Sequence, residues 1–280
     1  MYDITEQEFN RAMSMLTEMA AAGKATGEQL DALGDMIFYG YSQQEVNVEQ
    51  AIPYWKMAID KGQDIDTDRM VLVALSLRDG EHGLTADEEK SLRYMQAAAD
   101  KGDITAEYYS GLWLLQKMIS DPQAEGPAMI YLAKAALRNH ADAQYWLGLS
   151  MLELKRKPEH RGHFRFEYLH WLICADVNGS KEAAMELTNL ACNDRDMLKA
   201  HDQMRATVRE RGCIPPNGTS EVFEIYGSKN RNTQRRKRNL IMSNKGPVDK
   251  SKNSTETHSG PGRIVNLEIE KDGLYHPFKV

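Results

Sequence analysis

The side chains best suited to chemistry gather in one stretch: His160 and His163, then His170 and Cys174. Imidazole nitrogens and a thiolate are zinc ligands, and a tetrahedral site would use four such donors. His170 and Cys174 stand four apart, on one face of a predicted helix. The spacing is poor, however, and the chain has no C-x-x-C pair. Cys174 adjoins Ala175 at a packing position, where a thiol serves as a small apolar group. His160 and His163 fall in the basic run Lys155–His163, read as a solvated loop. The expectation is therefore no metal. Carboxylates cluster at Asp64, Asp66 and Asp68, and again at Asp87, Glu88 and Glu89. They sit at predicted helix starts, where negative charge complements the helix dipole. A catalytic pair would need an environment that separates the two pKa values. The phosphate-cradling motifs and the G-x-S-x-G elbow are absent. No catalytic residue and no cofactor is expected.

The elements that position these residues follow from a repeat. An aromatic anchor is followed by a small residue four later and by Gly or Asn eight later. The copies are Tyr54, Ala58, Gly62; Tyr94, Ala98, Gly102; Tyr131, Ala135, Asn139; and Trp171, Ala175, Gly179. Positions four apart share a helix face, and Gly or Asn supplies the left-handed residue that stops a helix. A second phrase lies twenty-odd residues before each anchor: Leu33-Gly34, Val73-Ala74, Ser110-Gly111, Leu147-Gly148, and a last copy at Leu187-Thr188. Gly inside a helix is unfavourable by up to about 1 kcal/mol, so its recurrence implies close helix–helix approach there. Each unit thus reads as two antiparallel helices, A then B. Met15, Met19, Gly23 and Met204, Val208, Gly212 read as end copies with larger residues, as caps. Thr5 with Glu8, Thr26 with Gln29 and Thr85 with Glu88 are capping-box patterns, and Asp121-Pro122 suits a helix start.

The segments Gly102–Gly111, Tyr131–Ala136 and Asn139–Gly148 resemble Sel-one-like repeats, relatives of the tetratricopeptide repeat. The likeness spans residues 5–212. Ser110, Thr188 and Asn139 depart from the family pattern, as does the insertion Arg156–His163. The resemblance implies an all-α fold, an α/α superhelix that holds proteins together and does not catalyse.

A solenoid leaves one long face for recognition, here expected on the A helices. Two residues before and after the small A-helix position stand Tyr109, Trp113 and Trp146, with Leu149 alongside. Tyr and Trp are favoured interface anchors. These four are the expected partner-binding residues; the competing expectation is that the rings fill the seams between repeats.

Charge divides the chain of 280 residues. Residues 1–210 hold 22 Lys and Arg against 34 Asp and Glu, a net −12; residues 211–280 hold 13 against 7, a net +6. Gly212, Pro215, Pro216 and Gly218 mark a boundary. The organisation expected is a solenoid over 1–212, a Pro/Gly then basic linker over 213–262, and a capping or partner-binding segment over 263–280. Basic residues concentrate at Lys229, Arg231, Arg235, Arg236, Lys237 and Arg238. Such a run contacts phosphates or serves as a nuclear address; no aromatic stacking residue lies between Ser228 and Asn266 to strengthen a nucleic-acid reading. Val222–Tyr226, and Val265, Leu267 and Ile269, suggest a short β element, a strand added to a partner's sheet, or a folded-back cap. Three cysteines, an opening MYDITEQEF without basic or apolar leader regions, and no long apolar run point to the cytoplasm and away from membranes. The functional expectation is a protein-binding scaffold or adaptor. The alternatives are an immunity-type protein that neutralises a toxin or effector, and a nucleic-acid-associated protein acting through its tail.

Overall fold

The structure, a computed structural model, describes residues 5–41, 47–160, 162–164, 167–193, 195–215 and 220–227. Among them run twelve α helices: α1 (Glu6–Ala21), α2 (Gly27–Tyr39), α3 (Val48–Asp60), α4 (Thr67–Asp79), α5 (Glu88–Asp100), α6 (Ile104–Lys117), α7 (Glu125–Leu137), α8 (Ala141–Leu154), α9 (Glu167–Val177), α10 (Lys181–Asn193), α11 (Arg195–Arg211) and α12 (Glu221–Ile225). No strand occurs among the described residues. Helices α2, α4, α6, α8 and α10 are the A helices of the sequence repeat. Helices α3, α5, α7 and α9 are their B partners. The basic run Lys229–Arg238 and the alternating run around Leu267 lie outside the described residues.

Local chemistry sets the helix ends. Thr5 Oγ1 accepts from the Glu8 N–H while Glu8 accepts from the Thr5 N–H; Thr26 and Gln29 do the same. The third expected box shifts by two residues. Asp87 caps α5, accepting from the Lys90 N–H at 2.9 Å, because its own N–H is already pinned to the Leu77 carbonyl at 2.8 Å. At the other ends, Gly102 (φ 93°) and Asn139 (φ 65°) take the left-handed conformation. The next N–H then folds back onto the carbonyl of the repeat's small residue: Asp103 onto Ala98, His140 onto Ala135, and likewise Gln63 onto Ala58 and Ser180 onto Ala175. This closure satisfies carbonyls that a helix end would orphan. The small residue therefore has two tasks, close packing and termination.

The small A-helix residue receives the following B helix. A Cβ added to Gly34 would lie 2.4 Å from Trp55 Nε1, and one on Gly111 would lie 2.6 Å from Leu132 Cγ. At Gly148 it would meet both Leu172 Cγ and the Tyr168 carbonyl oxygen at 2.9 Å. In each case the contact falls on the residue just after the aromatic anchor or on that residue's own helix. The anchors Tyr94 and Tyr131 instead lie half-buried and donate their hydroxyls to Asp60 and Asp100 of the preceding unit. A second rung repeats with them. Lys61 Nζ donates to the Ala25 carbonyl at 2.6 Å, Lys101 Nζ to Ile65 at 2.8 Å and Arg138 Nη1 to Gly102 at 2.5 Å. Donors and acceptors both advance by 40 and 37 residues, so each unit is tied to the previous one at the same place. Thr188, the departure in the last A helix, is exposed.

The compact unit runs to Ser228, past the boundary expected at residue 212. The run Val222–Tyr226 forms helix rather than strand, Val222–Ile225 lying in α12 and Tyr226 capping it; α12 folds back onto α7 and, through Glu221, reaches Glu167 of α9. Tyr226 donates its hydroxyl to Glu125 Oε1 at 2.7 Å, and the Glu221 N–H donates to Glu167 Oε2 at 2.8 Å. The insertion is drawn into the same contact: Lys157 Nζ lies 2.9 Å from Glu125 Oε2, and the Phe164 N–H donates to Glu221 Oε2. His160 corrects the expectation of a solvated loop. It is 7 % exposed, with Nε2 3.2 Å from Glu125 Oε1. The Phe164 ring beside it is fully buried, and that apolar contact draws the insertion inward.

Candidate protein-binding face

Each A helix offers a stripe formed by the positions two before, one after and five after its small residue. This is i, i+3, i+7 spacing, one face of a helix. In α4 the stripe is Leu72, Leu75 and Asp79; in α6 it is Tyr109, Leu112 and Gln116; in α8 it is Trp146, Leu149 and Glu153. All except Trp146 are half-buried or exposed. The position two after the small residue turns inward instead: Ser76, Trp113 and Ser150 are buried there.

The four expected binding residues therefore divide. Trp113 is 5 % exposed and Trp146 is 1 % exposed, so both rings fill seams and offer a partner almost no surface. The reason lies in their neighbours. The Arg78 guanidinium covers the Trp113 ring at 4.5 Å, and Arg78 is itself held by Gln116 Oε1. Trp146 packs edge-on against Tyr145 at 5.3 Å and hydrogen-bonds Tyr108. Tyr109 and Leu149 keep part of their surface. Sequence reasoning missed Leu75, Leu112 and Asp79, which the one-after and five-after positions of the same phrase would have found.

Carboxylates ring this face. Burial raises the Tyr109 hydroxyl pKa above its usual value, and Asp142 and Asp79 add to the shift. Burial, then Glu186 and Glu182, does the same at Tyr145. A phenol held neutral among carboxylates donates hydrogen bonds, and the surrounding potential favours cations. Aliphatic surface at Leu112 and Leu149 completes a patch suited to side chains with an apolar stem and a positive end. The face of the first units differs. There Arg69 sits 2.9 Å from Asp31, 2.7 Å from Asp35 and 3.4 Å from Asp66, and Trp55 Nε1 donates to Asp35 at 3.1 Å. Those charges answer one another within the chain.

The residues considered for metal do not converge. His170 Nε2 and Cys174 Sγ meet at 3.5 Å, whereas His160 is committed to Glu125 and His163 approaches Glu221. No group of three or more ligating side chains comes together among the described residues. Nor is any described helix long and apolar enough to cross a membrane.

Comparison with known proteins adds the family. Residues 31–63 and 70–103 match the Sel1 repeat model, each spanning an A helix and its following turn or partner. No curated protein sequence matches the chain. Among solved structures it is similar to a Sel1 repeat protein from Oxalobacter formigenes, with 20 % identity and a TM-score of 0.42 over 73 % of this chain and 88 % of that one. It is also similar to c5321, a protective antigen present in uropathogenic Escherichia coli strains displaying an SLR fold, with 15 % identity and a TM-score of 0.39 over 87 % of this chain and 53 % of that one. The Sel1 repeat fold is generally a non-catalytic scaffold for protein–protein interaction. The chain thus carries two Sel1 repeats, set inside a longer series of helix pairs built on the same packing and termination.

Proposed function

We propose that the chain binds a protein partner through the stripe of α4, α6 and α8, as an adaptor that positions its partner without turnover. The partner presents Lys or Arg side chains beside apolar ones. The observation that carries this reading is Tyr109, half-buried, with Asp142 and Asp79 near enough to help raise its hydroxyl pKa, and with Leu112 and Leu149 on the same stripe positions. Trp113 and Trp146 support that patch from beneath. Acidic surroundings would also accelerate encounter with a basic partner at low salt. Neutralising a toxin or effector would be the same recognition used stoichiometrically.

The test is affinity purification of the tagged full chain from its native cell, followed by binding measurements with the recovered partner. Tyr109→Ala with Leu149→Ala should keep the helical circular dichroism and weaken binding by tenfold or more. Unchanged affinity would overturn the assignment of this face. Neutralising Lys229, Arg231, Arg235, Arg236, Lys237 and Arg238 should leave that affinity within about twofold, since the proposed contact is made by the helical face without them. If nucleic acid is the partner instead, binding will fall steeply with salt and vanish when residues 227–252 are deleted.

A further inference from the structure

The fourth unit breaks the rung that ties its predecessors together. Where Lys61, Lys101 and Arg138 stand, seven residues after the anchor, this unit has Asn178. Asn178 Nδ2 reaches back to Gln144 Oε1 at 2.8 Å and also faces Cys213 Sγ at 3.6 Å. Gln144 is fixed in turn, donating from Nε2 to the Ala136 carbonyl at 3.0 Å. Cys213 follows α11 and is partly exposed; Cys174 on α9 is fully buried. Asn178, whose side chain touches Cys213, donates its N–H to the Cys174 carbonyl at 2.9 Å, so Cys213 packs on the turn of α9 that Cys174 begins; each thiol shifts the other's ionisation, and His170 Nε2 lies 3.5 Å from Cys174 Sγ. So a buried thiol and a reachable one meet at the place where other units keep a cation, with amide and imidazole groups around them.

We propose that Cys174 and Cys213 form a redox-sensitive pair that closes to an intramolecular disulfide, with a low-molecular-weight disulfide such as oxidised glutathione as the oxidant. Cys213 is the attacking thiol. Its thiolate is favoured first by the neighbouring Cys174, then by the Asn178 amide and by Gln144, which together outweigh its partial burial. It attacks one sulfur of the oxidant, the oxidant's S–S bond breaks, and one glutathione leaves as thiolate. Burial lowers the His170 pKa to about 4 and makes it a weak base, so the Cys174 proton departs with the second glutathione. The Cys174 sulfur attacks Cys213 Sγ and expels the second glutathione. The protein gives up two electrons and two protons, and the oxidant becomes two thiols. The product ties α9 to the segment that enters α12, across 39 positions of sequence. Such a link restricts the unfolded chain and holds the C-terminal helices on the stack.

The experiment equilibrates the full chain in glutathione buffers from reduced to oxidised, quenches with acid and maps peptides by mass. At the oxidised end the chain should lose two hydrogens and carry one Cys174–Cys213 cross-link. Its thermal midpoint should rise by roughly 5 °C. Cys192→Ser should keep the link and Cys213→Ser should abolish it. Cys174→Ala should stop at a glutathione adduct on Cys213, the trapped first step. Cross-links carried chiefly by Cys192, an unclosed adduct in the wild type, or free thiols at the oxidised end would each overturn the proposal.

Discussion

In the units built on α2–α5, Arg69 and three aspartates occupy the A-helix face, and the one guanidinium pairs with all three carboxylates. In the units built on α6–α9, tyrosines and leucines occupy it, and their carboxylate neighbours Asp142, Glu182 and Glu186 surround them. The interiors differ too. The N-terminal core holds Trp55, under Gly34, and Trp113, whereas the C-terminal core holds Trp146, Trp171 and Phe164 and extends to Val222 and Tyr226. One helix plan therefore carries two kinds of face. A guanidinium and carboxylates already paired within the chain have less to gain from a partner, since breaking those pairs would offset new ones. A half-buried phenol among carboxylates has more to gain.

The largest expected effect separates core from face. Trp146→Ala removes a fully buried indole and should cost about 3–5 kcal/mol in urea unfolding. Tyr109→Ala, half-buried on the stripe, should cost less, about 1–2 kcal/mol, while weakening partner binding. If the two variants cost alike, the division between seam and surface fails. Next comes the close approach at the small positions. Gly148→Ala sets a methyl 2.9 Å from the Tyr168 carbonyl oxygen, a backbone atom that cannot swing aside. Overpacking there should cost about 1–3 kcal/mol, more than Ala74→Ser in α4, where the unit already accommodates a Cβ.

The C-terminal contact offers a smaller test with a defined sign. Burial opposes ionisation of Glu125, but hydrogen bonds from Lys157, Tyr226 and His160 outweigh it and place its pKa below the ordinary 4.5. Its stabilisation is thus complete above that value and lost as pH falls through the lowered folded pKa. Asp31 and Asp35 behave oppositely: burial raises both above 3.8 despite Arg69, so acidification relieves a cost in the N-terminal units. Amide exchange in α12 should therefore accelerate in acid relative to exchange in α2. Glu167, raised by burial, works against that trend within the same contact. The decisive comparison is consequently Glu125→Gln, which should flatten the pH dependence of α12. An unaltered profile would assign the effect elsewhere. The smallest effect is expected from Tyr226→Phe, about 1 kcal/mol for one hydrogen bond to a carboxylate, read as faster exchange over residues 220–227.

The helix pairs were legible in the sequence because their signals are local. An aromatic anchor, a small residue four later and a left-handed Gly or Asn eight later act within one helix and its next turn, and the carbonyls of Ala98 and Ala135 close the helices there. The Gly34, Gly111 and Gly148 contacts were legible for a similar reason: a small residue in a helix has few uses besides close approach. What the sequence could not decide was which edge of each A helix stays exposed. Trp113 and Tyr109 are four apart on one helix, equally placed by periodicity, and Arg78 from α4 covers one ring and leaves the other. His160, Cys213 and Tyr226 depend likewise on groups 35, 39 and 101 positions away. Periodicity specifies directions around a single helix, while burial belongs to whatever the neighbouring chain segment brings against it.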